Sequence, residues 1–157
     1  MNNAPHGARF GHVNVIAADW RRLADFYQRV FGCEVVPPER DQGGPDLERG
    51  TAVHGAALRG VHMRLPGTGD TGPTLEIYTY RENVEGGTPT ANRTGWGHIA
   101  FMVDDVDAAR ESVRKNGGAS VGDIVTFQTS DGRQVTWCYV SDPEGNFIEL
   151  QNWSTRS

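Results

Sequence analysis

The chain has 157 residues and a net charge of −5, with 37% hydrophobic and 22% charged residues, the composition of a globular domain. It has no basic run, which argues against a general nucleic-acid binder, and no apolar stretch near the ~18 residues needed to cross a membrane. The N-terminal "MNNAPHGARF" has no apolar leader core, and Cys33 and Cys138 form no CxxC pair, so the expectation is a cytoplasmic chain with two separate reduced thiols.

In chain order, "FGHVNVIA" opens with a Gly-His pair and alternates as a strand. "ADWRRLADFYQRVFG" follows as a helix. Asp19 caps it, Leu23, Phe26, Tyr27, Val30 and Phe31 share one face, and Gly32 stops it. Residues 36–59 carry "PPERDQGGPDLERG", with four glycines and three prolines in the whole segment, and read as a surface loop covering a site. "RGVHMRLP" and "PTLEIYTY" are two strands joined by the glycine-rich, mobile "GTGDTG". "VEGGTPTANRTG" (84–95) is a linker.

The same order then recurs. "WGHIAFMV" is again a Gly-His strand. "DDVDAARESVRKNGG" is a helix capped by Asp104 or Asp105, with Val106, Ala109 and Val113 on its apolar face. "DIVTFQTSDGRQVTWCYV" is a hairpin around Asp131-Gly132, "SDPEG" a tight turn, and "NFIELQNW" a last strand. Each half therefore reads β-α-β-β-β, a duplicated unit.

Each repeat carries one histidine on its first strand and one glutamate inside its last: His12 with Glu76, and His98 with Glu149. Alternation puts His12, Asn14 and Ile16 on one face and His98, Ala100 and Met102 on the matching one. Leu75, Ile77, Ile148 and Leu150 flank the glutamates and point the other way, to the core, so both glutamates face away from it. Four such groups at matched places point to a divalent metal, Zn, Ni, Co, Fe or Mn, provided the two sheets curve toward each other.

The motifs "GHVNV", "FYQRVFG", "TLEIY", "GHIAFMVDDVDAA" and "SDPEGNFIELQNW" resemble the vicinal oxygen chelate superfamily, also called the glyoxalase/bleomycin-resistance/dioxygenase superfamily, over about residues 8–153. The resemblance implies one α+β domain over 1–157. Its two βαβββ modules, about 8–83 and 96–153, form an open, curved, mixed sheet around a metal. It also implies His12, Glu76, His98 and Glu149 as ligands, the set of bacterial-type glyoxalase I. Methylmalonyl-CoA epimerases are similar but usually carry Gln at the position of Glu76.

Four protein ligands leave two positions on a six-coordinate ion, which suits a substrate chelating through neighbouring oxygens. The expected activity is a lyase or isomerase reaction moving a proton beside a carbonyl on a small molecule, with Glu149 or Glu76 as the base. Ring-cleaving dioxygenases of the superfamily use two His and one Glu, so Glu76 counts against that alternative. Non-enzymatic antibiotic-binding members tend to lose the ligands. Candidate substrate-wall residues are Asn14, Arg64, Tyr78, Trp96, Tyr139, Phe147 and Trp153. His54 and His62 have no counterpart in the other half and read as structural or surface, and of the two it is His62 that lies in a strand. Open sheet edges and the resemblance together predict a homodimer.

Overall fold

The computed structural model describes residues 5–155; the leader reading falls in part on residues 1–4, outside them. The chain folds as two compact units. Among the described residues, one holds 5–28 together with Gly32–Val84, and the other holds Arg29–Phe31 and 85–155.

In the first unit, strand β1 is His12–Ile16 and helix α1 is Trp20–Phe31. The Asp19 carboxylate accepts from the N–H groups of Arg21 and Arg22, both at 3.1 Å, which satisfies two of the donors a helix start leaves unpaired. Gly32 ends the helix at φ 67°, a left-handed conformation that favours glycine. The apolar face buries Leu23, Phe26 and Tyr27 as the spacing requires. Strands β2 (Glu34–Gly43), β3 (Ala57–Arg64) and β4 (Thr74–Tyr80) complete a four-stranded sheet in the order β1-β4-β3-β2. β1 runs parallel to β4, and the other pairs are antiparallel. Val61, Met63, Leu75 and Ile77 are buried on its core side.

The expected loop over residues 36–59 is not a loop. β2 continues through it to Gly43, and a short helix α2, Pro45–Thr51, follows. The reason is local. The two prolines sit where the ladder with β3 slips register, between Val36 and Arg40, so their missing N–H groups break no pairing there. Beyond them Arg40 to Gly43 pair regularly with Gly60 to Ala57. Pro45 then occupies the first turn of α2, where its fixed φ suits a helix start.

The second unit repeats the plan. β5 is Ile99–Met102 and α3 is Val106–Lys115, capped by Asp105 accepting from the Ala108 N–H at 2.9 Å. β6 (Ala119–Ser120), β7 (Val125–Gln128), β8 (Arg133–Ser141) and β9 (Phe147–Thr155) follow. The order is β5-β9-β8-β6, with β7 also paired to β8, and β5 runs parallel to β9. The predicted hairpin closes at Gln128 and Gln134 around Gly132, at φ 84°. In the "SDPEG" turn the buried Asp142 carboxylate accepts from the backbone N–H groups of Glu144 and Asn146 and from the Asn146 side-chain amide. Val106, Val113, Cys138 and Val140 are buried here, and so are Ile148 and Leu150, as the alternation of β9 predicts. Both strand pairs that carry the glutamates have an α+β setting, and no helix among the described residues is long and apolar enough to cross a membrane.

Candidate metal-binding half-sites

The duplication holds at the level of strand register. Asn14 pairs with Glu76 across β1 and β4, and Ala100 pairs with Glu149 across β5 and β9. Each glutamate thus stands opposite the residue two positions after its histidine. His12 Nε2 lies 3.0 Å from Glu76 Oε1, and His98 Nε2 lies 3.0 Å from Glu149 Oε2. One detail corrects the sequence reading: β5 begins at Ile99, so His98 stands one residue ahead of the strand. Its side chain is 32% exposed.

The two glutamates differ in their surroundings. Glu76 is buried, with only 8% exposure. Its Oε2 accepts from the Tyr78 hydroxyl at 2.9 Å and lies 2.8 Å from His62 Nε2. His62 Nε2 is also 2.7 Å from the Tyr78 hydroxyl, so the three groups form a closed triangle. The strand ladder explains this: His62 on β3 pairs directly with Glu76 on β4. His62 is therefore part of the Glu76 environment, as its place in a strand allows. Burial pushes the His62 pKa down, with Arg40 and His12 adding to the fall and the charge of Glu76 opposing it. Burial pushes the Tyr78 phenol up to about 12, and its hydrogen bond to Glu76 adds to the shift, so the hydroxyl stays protonated and donates.

In the second unit the residue opposite Glu149 is Tyr139. Its ring lies against His98, 4.9 Å between centroids, and continues into a row with Trp137 and Phe147 at 5.2 and 6.2 Å. Burial raises the Tyr139 phenol pKa, and Glu149 adds to it. Among the described residues, His98 is the one side chain hydrogen-bonded to the Glu149 carboxylate.

A family model described as the glyoxalase/bleomycin resistance protein/dioxygenase superfamily matches residues 9–150. The chain belongs to this superfamily. Among curated relatives of this glyoxalase-superfamily chain, a lactoylglutathione lyase from Haemophilus influenzae is 29% identical over 93% of this chain and 94% of its own length. A 2-epi-5-epi-valiolone epimerase from Actinomyces is 30% identical over 94% of this chain and 81% of its own. Among solved structures, a glyoxalase family protein from Bacillus cereus superposes with a TM-score of 0.78 at 19% identity, covering 98% of both chains, which confirms the fold.

The residues present fit the metal that the superfamily resemblance implies. Imidazole nitrogen and carboxylate oxygen are ordinary ligands for the ions named above. Two such atoms, each ~2.1 Å from one ion and at right angles, are themselves ~3 Å apart. Each His–Glu pair has that 3.0 Å spacing. Among the described residues no three His, Cys, Asp or Glu are grouped so as to hold an ion, and each unit offers one His–Glu pair of possible donors.

The proposed wall residues divide. Asn14 and Tyr78 share the Glu76 face of the first sheet, and Tyr139 and Phe147 share the Glu149 face of the second. Arg64 lies on the His62 face but is engaged by Glu34 at 2.9 Å, with Asp70 at 3.7 Å. Trp96 is 98% exposed and lies outside the strands. Trp153 is stacked under the Arg133 guanidinium, 4.9 Å from the ring centroid, and its indole N–H donates to Gln151. His54 is exposed and hydrogen-bonds Glu48 at 2.8 Å.

Proposed function

We propose that this chain is a metal-dependent lyase or isomerase that moves a proton beside a carbonyl of a small substrate. The observation that carries the reading is the repetition of one His–Glu pair at one register and one spacing in two units. In this reading His12, Glu76, His98 and Glu149 hold one divalent ion, Zn, Ni, Co, Fe or Mn, either from one chain or shared between two. The ion, when bound, supplies Lewis acidity to a substrate chelated through neighbouring oxygens. A glutamate oxygen beside the substrate carbon takes and returns the proton. Asn14, Tyr78, Tyr139 and Phe147, each on the glutamate-bearing face of its own sheet, are the proposed substrate contacts. The named activities of the two relatives, a lyase and an epimerase, support this class. The working form is a homodimer in the cytoplasm, where Cys33 and Cys138 remain reduced.

Reconstituted protein should hold about one divalent ion per set of four donors, and His98→Ala should lose it, as read by elemental analysis. Light scattering at micromolar concentration should give a dimer. Deuterium from solvent should enter the carbon beside the carbonyl of α-hydroxy-carbonyl thiol adducts or acyl thioesters. Oxygen uptake with a catechol replaces this reading with a dioxygenase. Tight binding of a bulky ligand without turnover replaces it with a sequestering protein.

A further inference from the structure

We infer that His62 and Tyr78 are positioning residues that fix the Glu76 carboxylate, so that it binds metal through Oε1 alone. The inference rests on the reading of Glu76 as a ligand and adds what determines its orientation. A carboxylate has two oxygens and about four sites for donors. On Glu76, His62 and Tyr78 both approach Oε2, at 2.8 and 2.9 Å. Oε1 faces His12 at 3.0 Å and carries no second partner among the described residues. The oxygen left open is therefore the one that would share a metal with His12. Rotation of the carboxylate would break the Tyr78 hydrogen bond and draw Oε2 away from the His62 ring nitrogen, in a buried place where unpaired polar atoms cost most.

The backbone is arranged to admit this clamp. Gly60 pairs with Tyr78 across β3 and β4. A Cβ on Gly60 would fall 2.5 Å from Tyr78 Cδ1 and 2.0 Å from the Ile77 carbonyl oxygen. The bare glycine lets the Tyr78 ring lie over β3 with its hydroxyl reaching Glu76. In the second unit the same ladder positions hold Tyr139 in place of His62, Gln151 in place of Tyr78 and Trp137 in place of Gly60. Neither Tyr139 nor Gln151 hydrogen-bonds Glu149 among the described residues. The clamp belongs to one half only, so it is not a consequence of the fold itself.

Partners that orient a metal ligand typically contribute 10–100-fold to metal affinity. The test titrates the full-length protein with Co(II) alone, reading affinity by calorimetry and ligand geometry by visible absorption. Tyr78→Phe removes one oxygen and should weaken Co(II) binding ~10-fold or more and shift the absorption bands. His62→Ala should do the same, and His62→Gln, which keeps a donor, should recover most of the loss. Urea midpoints of the metal-free variants separate this from a fold effect, because a purely structural role would lower the midpoint and leave the bands in place. If His62→Ala does not fold, Tyr78→Phe carries the test alone.

If Glu76→Gln leaves Co(II) affinity unchanged, the ligand reading falls and the inference with it. If Glu76→Gln weakens binding while Tyr78→Phe and His62→Ala do not, the inference alone falls. If His62→Ala alters the bands as His12→Ala does, His62 is itself a ligand and the positioning role is overturned.

Discussion

Glu76 is buried and meets three side chains; Glu149 is more open and meets one. Both occupy the same register position on the last strand of their unit. The backbone ladder places the glutamate, and the residue across the antiparallel neighbour decides how tightly it is held. In the first unit that residue is a histidine that reaches the carboxylate, and in the second it is a tyrosine that turns to a row of rings. A duplicated fold can thus keep two donors equivalent in place and make them unequal in freedom. In the proposed function a base has to leave the metal to move a proton, so the freer carboxylate, Glu149, would serve as the base and the clamped one, Glu76, as the fixed ligand.

The largest expected effect tests that division of labour. Glu149→Gln keeps the side-chain shape and removes the basic oxygen. The rate of proton exchange should fall ~10²-fold or more while metal remains bound. Glu76→Gln should instead appear first as lost metal, with the rate restored in part by added ion. Steady-state rates across a metal titration make the distinction. Equal behaviour of the two variants would erase the comparison, and a larger rate loss at Glu76 with metal bound would invert it.

Much of this was legible in the sequence because the chain repeats itself. The helix of residues 20–31, its Asp19 cap and its Gly32 stop follow from spacing alone, and so do the core positions of Leu75, Ile77, Ile148 and Leu150. Matching the two halves also singled out the two His–Glu pairs, each of which the structure brings to 3.0 Å. The same matching hid His62, because a residue with no partner in the other half looks incidental. Its role comes from the β3–β4 register, which nine residues between Arg64 and Thr74 leave undetermined. In the second half the short turn after Ser141 sets the register, and the pairing of Tyr139 with Glu149 could have been read from it. The strand and helix within residues 36–59 were hidden by glycines and prolines, although Pro45 followed by Asp46 and Glu48 is a helix-start signal.

A smaller effect is expected at Gly60, where the two halves exchange their large residue. The first unit pairs a glycine on β3 with Tyr78, and the second pairs Trp137 on β8 with Gln151. Gly60→Ala forces a methyl group against the Ile77 carbonyl and the Tyr78 ring. Overpacking of this kind costs about 1–3 kcal/mol. The urea midpoint should fall accordingly, and Co(II) affinity should fall with it as Tyr78 is pushed off Glu76. A loss of stability with unchanged metal affinity would mean that Tyr78 can move without releasing the carboxylate. The comparison would then rest on His62 alone.

The smallest effect concerns the cysteines, one in each unit, and reports whether the halves differ in opening as well as in side-chain contacts. Cys33 and Cys138 are both free and buried. Burial pushes the Cys33 thiol up to about 11 and raises Cys138 as well. The thiolate is the reactive form, so a raised pKa means less of it at any given pH. At pH 8 a thiol near 11 has roughly two hundred times less thiolate than one near the ordinary 8.5. Folded protein should therefore react negligibly with a thiol reagent at pH 8, and labelling should follow the opening of the unit that holds each cysteine. Peptide mapping after timed labelling in low urea resolves the two sites. Added divalent metal should slow both together if one ion takes donors from both units. Protection of Cys33 alone would show that the ion is held by the His12–Glu76 half without the other. Such a result would separate the clamped half from its repeat in binding as well as in contacts.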